Sequence, residues 1–162
     1  MAEDNDTGAQ ITKRDDTEIL LVEDNPNDAE LTIHAFRRNG FTGLIHLTRD
    51  GAEALDFLFR KGLFQNSGDL RLKMVLLDLK LPKINGLEVL RALRSDEKTR
   101  TIPVVILTSS NEERDIREAY ASGADNYLVK AVDFNLFFED IKTLQSSWLA
   151  VNGPSRPRTE QP

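Results

Sequence analysis

Short apolar runs and helix-period segments alternate along most of this chain. EILLV at Glu18–Val22 is followed by a segment from Pro26 to Asn39, which Gly40 ends as a C-cap, and then by LIHLT at Leu44–Thr48. A predicted helix over Gly51–Lys61, with Asp50 as its N-cap, precedes the run MVLLD at Met74–Asp78. Asn85 caps a helix through Arg94, which leads to IPVVILT at Ile102–Thr108. Asn111 or Ser110 is placed to cap the next helix, Gly123 ends it before NYLVK at Asn126–Lys130, and a last helix is expected from Asp133 to Ala150. Five strands alternating with five helices predict an α/β fold with a parallel sheet covered on both faces. The uninterrupted apolar stretches VLL and VVIL agree with burial on both sides. Right-handed crossovers make this a three-layer doubly wound architecture, whose ligands sit beyond the carboxyl ends of the strands.

The ends read differently. Met1–Thr17 is polar, and Asn152–Pro162 carries three prolines and no apolar residue, so disordered tails at 1–17 and 152–162 are expected around a folded domain at 18–151. Gly62–Lys73 is long for a helix-to-strand connection and contains Gly, Asn and Ser, which predicts a surface loop.

Composition narrows the chemistry. With 162 residues and 40% apolar content, the chain suits one domain with a sizeable core. Lys plus Arg number 21 against 27 Asp plus Glu, a net charge of −6 with no basic block, which argues against binding driven by nucleic-acid phosphates or anionic lipid. The absence of Cys excludes disulfides, thiolate metal sites and Cys nucleophiles and fits a reducing cytoplasm. No run approaches the roughly 18 apolar residues of a membrane-spanning helix, so a soluble, cytoplasmic protein is expected.

The strand ends carry the candidate chemistry. Glu23 and Asp24 follow the first strand, Asp78 closes the third, Thr108 the fourth and Lys130 the fifth, all on one edge of the predicted sheet. Acids usually lie on solvated surfaces, and each of these alone is unremarkable. Together, converging carboxylates repel, and a divalent cation with oxygen ligands relieves them; magnesium suits carboxylate and phosphate oxygens. A carboxylate such as Asp78 can become an acyl phosphate, a reaction that needs positioning and charge neutralisation more than an acid or base. Lys130 would pair with a phosphoryl oxygen, and the Thr108 hydroxyl could donate to another. His34 and His46 are far apart in the pattern and are assigned structural roles.

Four segments carry a family resemblance: LLVEDNP at Leu20–Pro26, LLDLKLPKINGLEVL at Leu76–Leu90, VVILTSS at Val104–Ser110 and SGADNYLVK at Ser122–Lys130. Over about Glu18–Ala150 the sequence resembles the receiver domain of bacterial two-component response regulators. That resemblance implies a flavodoxin-like sheet in the order 2-1-3-4-5. It also implies that Asp24, Asp78 and the Lys80 backbone carbonyl bind Mg2+, with Glu23 acting through water. Asp78 is then the phosphoacceptor for a sensor histidine kinase, Lys130 the phosphoryl-pairing lysine, Thr108 the switch hydroxyl and Tyr127 the switch aromatic. Pro82 and Gly86 match the turn after the acceptor. Such a chain is not an enzyme beyond weak autophosphorylation and autodephosphorylation.

Two departures stand out. Ala131 replaces the family's usual proline after the lysine, whose preceding bond is cis; before alanine a cis bond costs about 2.5–4 kcal/mol, so the Lys130–Ala131 bond is open between the isomers. The long Gly62–Lys73 loop resembles the single-domain regulators that partner phytochrome-type histidine kinases. The last helix, with Phe134, Leu136, Phe137, Phe138, Ile141, Leu144, Trp148 and Leu149, is apolar over more than one core-facing stripe. That width suggests a homodimer through the fourth helix, fifth strand and fifth helix, with Phe137 and Trp148 in the contact. Nothing after Ala150 looks able to fold as an output domain, so the signal is expected to leave through protein contacts. The rivals are a phosphorelay shuttle, a non-phosphorylated pseudo-receiver, which the intact acid, hydroxyl and lysine set argues against, and a Mg-dependent aspartyl-phosphate phosphatase. The phosphatase would need a second Asp where Lys80 stands.

Overall fold

The computed structural model describes residues 16–149; the two predicted tails lie outside these, apart from Asp16 and Thr17. Five strands, β1 (Glu18–Val22), β2 (Leu44–Thr48), β3 (Met74–Leu77), β4 (Val104–Thr108) and β5 (Asn126–Val129), alternate with five helices. The helices are α1 (Pro26–Arg38), α2 (Gly51–Phe59), α3 (Gly86–Ser95), α4 (Glu113–Ala121) and α5 (Phe134–Trp148). All strand pairs are parallel, in the order β2-β1-β3-β4-β5.

Side-chain alternation along the strands builds two cores. Leu20, Val22, Val75, Leu77, Val104 and Ile106 face one side and pack with Ala54 and Phe57 of α2, Val89, Leu90 and Leu93 of α3, and Ala119 of α4. Ile19, Leu21, Met74, Leu76, Val105 and Leu107 face the other and meet Ala35 and Phe36 of α1 and Phe137, Ile141 and Leu144 of α5. Every residue of β3 and β4 is buried, as their uninterrupted apolar runs require.

Local chemistry sets the helix ends. Asn25 caps α1 by accepting from the Asn27 and Asp28 amides, and Gly40 follows its C-terminus at φ 89, a left-handed conformation that glycine adopts without steric cost. Asp50 caps α2, and Asn85 and Glu88 form a reciprocal capping box on α3. At α4 the expectation fails: Glu112 occupies the N-cap with no side-chain bond, and Ser110 instead donates to Asp115 Oδ2 at 2.5 Å. The predicted strand over Ile102–Thr108 begins only at Val104. Within the Gly62–Lys73 connection a 3-10 turn spans Gly62–Phe64. Arg60, at φ 54, holds the loop through the Gly68 and Asp69 carbonyls.

The last helix is less two-sided than its sequence suggests. Phe137 is buried in its own core, and Trp148 is half-buried against the same cluster, so neither offers the free surface that the dimer expectation assigned to it. The exposed apolar residues of this region are Leu136, at 60% exposure, and Val132 in the loop before α5.

Gly86 ties the fold to the candidate site. Its amide donates to Leu79 O at 2.9 Å, and an added Cβ would overlap the Asp78 carbonyl oxygen and lie 2.7 Å from Leu79 Cα. Gly86→Ala is therefore expected to destabilise the chain by roughly 1–3 kcal/mol in urea unfolding, the usual cost of overpacking, because only backbone can yield.

Candidate functional site

The parallel sheet delivers five chemically active residues to one edge. Glu23 and Asp24 follow β1, Asp78 follows β3, Thr108 ends β4 and Lys130 follows β5. Glu23, Asp24 and Asp78 each bring one carboxylate oxygen into a group whose members lie within 4.8 Å of one another. Glu23 and Asp78 are buried there and Asp24 is exposed. Lys130 Nζ reaches into this group, 2.7 Å from Glu23 Oε1 and 3.2 Å from Asp78 Oδ2. The other Asp78 oxygen, Oδ1, accepts from the Lys80 amide at 3.2 Å, while Lys80 itself is exposed.

A fourth carboxylate joins them. Asp28, in the first turn of α1, lies 3.0 Å from Lys130 Nζ, so the ammonium has one acidic partner for each of its three N–H groups. Sequence reasoning passes over Asp28 because an acid in a helix first turn is ordinary. Only the fold brings it to a lysine 102 positions away.

Burial and charge pull against each other here. Desolvation raises Glu23 above the usual carboxylate range, against the lowering bond to Lys130. Burial works against the Lys130 charge, yet the bond to Glu23 and the neighbouring Asp78 and Asp28 carboxylates outweigh it and hold the lysine well above its usual range. Four carboxylates around one ammonium leave a surplus of negative charge, which a divalent cation with oxygen ligands would offset.

No peptide bond among the described residues is cis, so Lys130–Ala131 is trans, and Lys130 still reaches Asp78. Its amide donates to Thr108 O at 2.8 Å, which extends the β4–β5 pairing one residue past the strand and fixes where the side chain starts.

Thr108 Oγ1 is buried and has no hydrogen-bond partner. Such a hydroxyl is costly unless some state of the protein uses it. Tyr127, half-buried, donates its hydroxyl to the Ser110 carbonyl at 2.9 Å, just past Thr108. Burial pushes the Tyr127 phenol up. Neither histidine belongs to the acidic group: His46 pairs with Glu18 at 3.0 Å, and His34 packs 6.0 Å from the Phe134 ring. Among the described residues no helix is long and apolar enough to cross a membrane.

A doubly wound sheet with acids, a lysine and an unpartnered threonine hydroxyl at one carboxyl edge defines a phosphoacceptor-type receiver. The family model described as the response regulator receiver domain matches residues 19–142, and the chain belongs to that family. Receiver proteins of this kind are generally signalling proteins rather than enzymes, act through phosphorylation and bind a divalent metal. The chain is 41% identical over 152 residues to the probable methanogenesis regulatory protein FilR2 of Methanothrix harundinacea, covering 94% of this chain and 96% of FilR2. It is also similar to the crystal structure of the phosphorylated cyanobacterial phytochrome response regulator RcpA, at 34% identity and TM-score 0.80, over 88% of this chain and 99% of RcpA. The Mn(2+)-bound form of response regulator Rcp1 gives 34% identity and TM-score 0.77, over 86% and 99%.

Removing the ammonium should expose the charge surplus. In metal-free buffer at pH 7, Lys130→Met is expected to lower stability by about 3–5 kcal/mol, the usual result of breaking a buried ion pair from one side. The folded-state pKa of Lys130 is raised, so its contribution is full below the unfolded value of 10.5 and fades as pH rises above it. Urea unfolding from pH 7 to 11 should therefore show a constant gap between parent and variant that begins to narrow only above about pH 10.5.

Proposed function

We propose that Asp78 accepts a phosphoryl group from the phosphohistidine of a sensor histidine kinase, and that the acyl phosphate switches protein–protein contacts. The observation that carries this is the buried Asp78 carboxylate set 3.2 Å from Lys130 inside the acidic group. Asp78 attacks phosphorus as the bond from phosphorus to the histidine nitrogen breaks, and Lys130 pairs with the transferred oxygens as a point charge. Glu23, Asp24, Asp78 and the Lys80 carbonyl would hold Mg2+, which when bound neutralises charge on the phosphoryl oxygens; the oxygen-only donor set suits that ion.

The switch runs through Thr108 and Tyr127. A phosphoryl oxygen gives the Thr108 hydroxyl the partner it lacks, and the Tyr127 ring follows as its bond to the Ser110 carbonyl is released. Phosphorylation then shifts an existing two-state balance in the β4–α4 loop.

The kinase is of the phytochrome type in this reading, supported by the resemblance to RcpA, whose name gives a phytochrome as its input. FilR2 is named for methanogenesis, while the bacteriophytochrome response regulators RtBRR and AtBRR, 46% and 45% identical to this chain, support the same phytochrome input as RcpA. The chain acts in the cytoplasm, with weak autophosphorylation and autodephosphorylation at most. A homodimer uses α4, β5 and α5, where Tyr120, Val129 and Leu136 are exposed.

Intact-mass spectrometry after incubation with phosphoramidate and Mg2+ tests the acceptor. A single magnesium-dependent phosphoryl adduct is expected on the parent and none on Asp78→Asn; an adduct that persists in the variant would move the site elsewhere. Thr108→Val removes the unpartnered hydroxyl and is expected to leave stability unchanged or raise it by about 1 kcal/mol. It should still be phosphorylated at Asp78, yet the change in Tyr127 ring resonances that accompanies phosphorylation of the parent should be lost.

A further inference from the structure

We infer that Asp28 is a positioning residue for phosphoryl transfer, holding the Lys130 ammonium over Asp78 from the α1 side. This rests on the acceptor reading above and adds a residue to it.

The Lys130 ammonium has three N–H groups and three acidic partners, Glu23 Oε1, Asp28 Oδ2 and Asp78 Oδ2. These partners differ in what happens to them during transfer. Asp78 becomes the acyl phosphate, so its carboxylate charge is lost and a phosphoryl oxygen takes its place beside the ammonium. Glu23 belongs to the acidic group in which a divalent cation would be held. Asp28 is outside that group, and its carboxylate meets the site at Lys130. It is thus the anchor that neither the reaction nor a metal consumes.

Asp28 is also built to hold a position. Its amide donates to the Asn25 side chain at 3.0 Å and its carbonyl accepts from Thr32 Oγ1 at 2.8 Å, so the backbone under the carboxylate is fixed at both ends. Neither bond uses the carboxylate, and Asp28→Ala keeps both and should fold. The need for such an anchor comes from the other side of the contact. Past the Lys130 amide the chain turns through the trans Lys130–Ala131 bond, Ala131 packs half-buried against the core and Val132 beyond it is fully exposed, so the backbone fixes where the lysine side chain starts while its acidic partners fix where the ammonium ends. Asp28 supplies a direction that the backbone does not. With a side chain 38% exposed, its bond to Lys130 is partly screened, which sets a moderate effect rather than a large one.

The test is a cycle of four proteins, parent, Asp28→Ala, Lys130→Ala and the double variant, each followed by intact mass for the rate of phosphoryl uptake from phosphoramidate in saturating Mg2+. Asp28→Ala is expected to slow uptake on the order of fivefold to tenfold, the worth of one partly screened charge-assisted hydrogen bond. In the Lys130→Ala background the same substitution should change the rate less than about twofold, because Asp28 acts through the ammonium. Calorimetric Mg2+ affinity of Asp28→Ala should match the parent within about twofold, a readout that general loosening of the site would move. A parent-like rate in Asp28→Ala, a slowing of equal size in both backgrounds, or a matching loss of Mg2+ affinity would each overturn the inference. A parent chain that takes no phosphoryl group at all would overturn the acceptor reading itself, and is distinguishable from these because it fails before any variant is compared.

Discussion

Negative charge gathered beyond the carboxyl ends of β1 and β3 is the constraint on which the rest depends. Glu23, Asp24, Asp28 and Asp78 crowd one end of the molecule, and a single ammonium answers them. Burial, with the Asp78 charge adding to it, is why Glu23 sits above the usual carboxylate range although Lys130 is bonded to it. An arrangement of this kind costs stability and persists because the surroundings fix it. Here the surroundings are β3 and β4, buried along their whole length, and two cores that clamp the sheet from both faces. The acids cannot spread apart without moving strands that are close-packed on both sides.

The same rigidity is what the proposed switch works against. Charge imbalance makes the site receptive to a cation and to a group that redistributes charge around Asp78, while the Thr108 hydroxyl waits without a partner in a buried position. In the proposed switch the strands do not yield, and adjustment falls on the segment between β4 and α4. That segment is held through Ser110 rather than by a helix cap: α4 begins after Glu112 without a side-chain cap, while Ser110 donates to Asp115 and accepts from the Glu112 amide, and its carbonyl accepts from Tyr127. An uncapped helix start lacks one of the contacts that resist rearrangement. The fold thus places an uncapped helix terminus next to its acidic group.

Much of this is legible in the residues themselves. The strands over Glu18–Val22 and Leu44–Thr48 have the predicted bounds, and placing Asp78, Thr108 and Lys130 at or just past strand ends needs only the alternation of elements and the rule that ligands sit at carboxyl edges. The hidden part depends on contacts between distant segments. Asp28 looks like an ordinary first-turn acid until α1 and the end of β5 are brought together. The cap of α4 differs from expectation because Ser110 has a competing acceptor, Asp115, that the capping pattern does not rank. The breadth of the apolar set on α5 implies an outer contact for Phe137 and Trp148, yet Phe137 is taken into the core cluster and Trp148 packs half-buried against it. Periodicity gives the direction of a side chain but not how deep the groove that receives it is.

The trans bond between Lys130 and Ala131 shows how the site tolerates losing a feature that its family usually has. A proline with a cis bond would set the direction of the backbone leaving the lysine at little cost, whereas alanine would have to hold that geometry against about 2.5–4 kcal/mol. The chain does not hold it. It fixes the lysine before that bond instead, by extending the β4–β5 ladder through the Lys130 amide to Thr108 O. The side chain is then gripped at its tip by three carboxylates from the end of β1, from α1 and from the end of β3. Position has passed from a backbone isomer to a ring of charges. Such a ring is sensitive to what happens to any one member of it, which a locked peptide is not. In the proposed reaction Asp78 changes charge, so the remaining acids would redistribute their hold on the same ammonium, and the lysine that assists the chemistry would also sense that it has occurred.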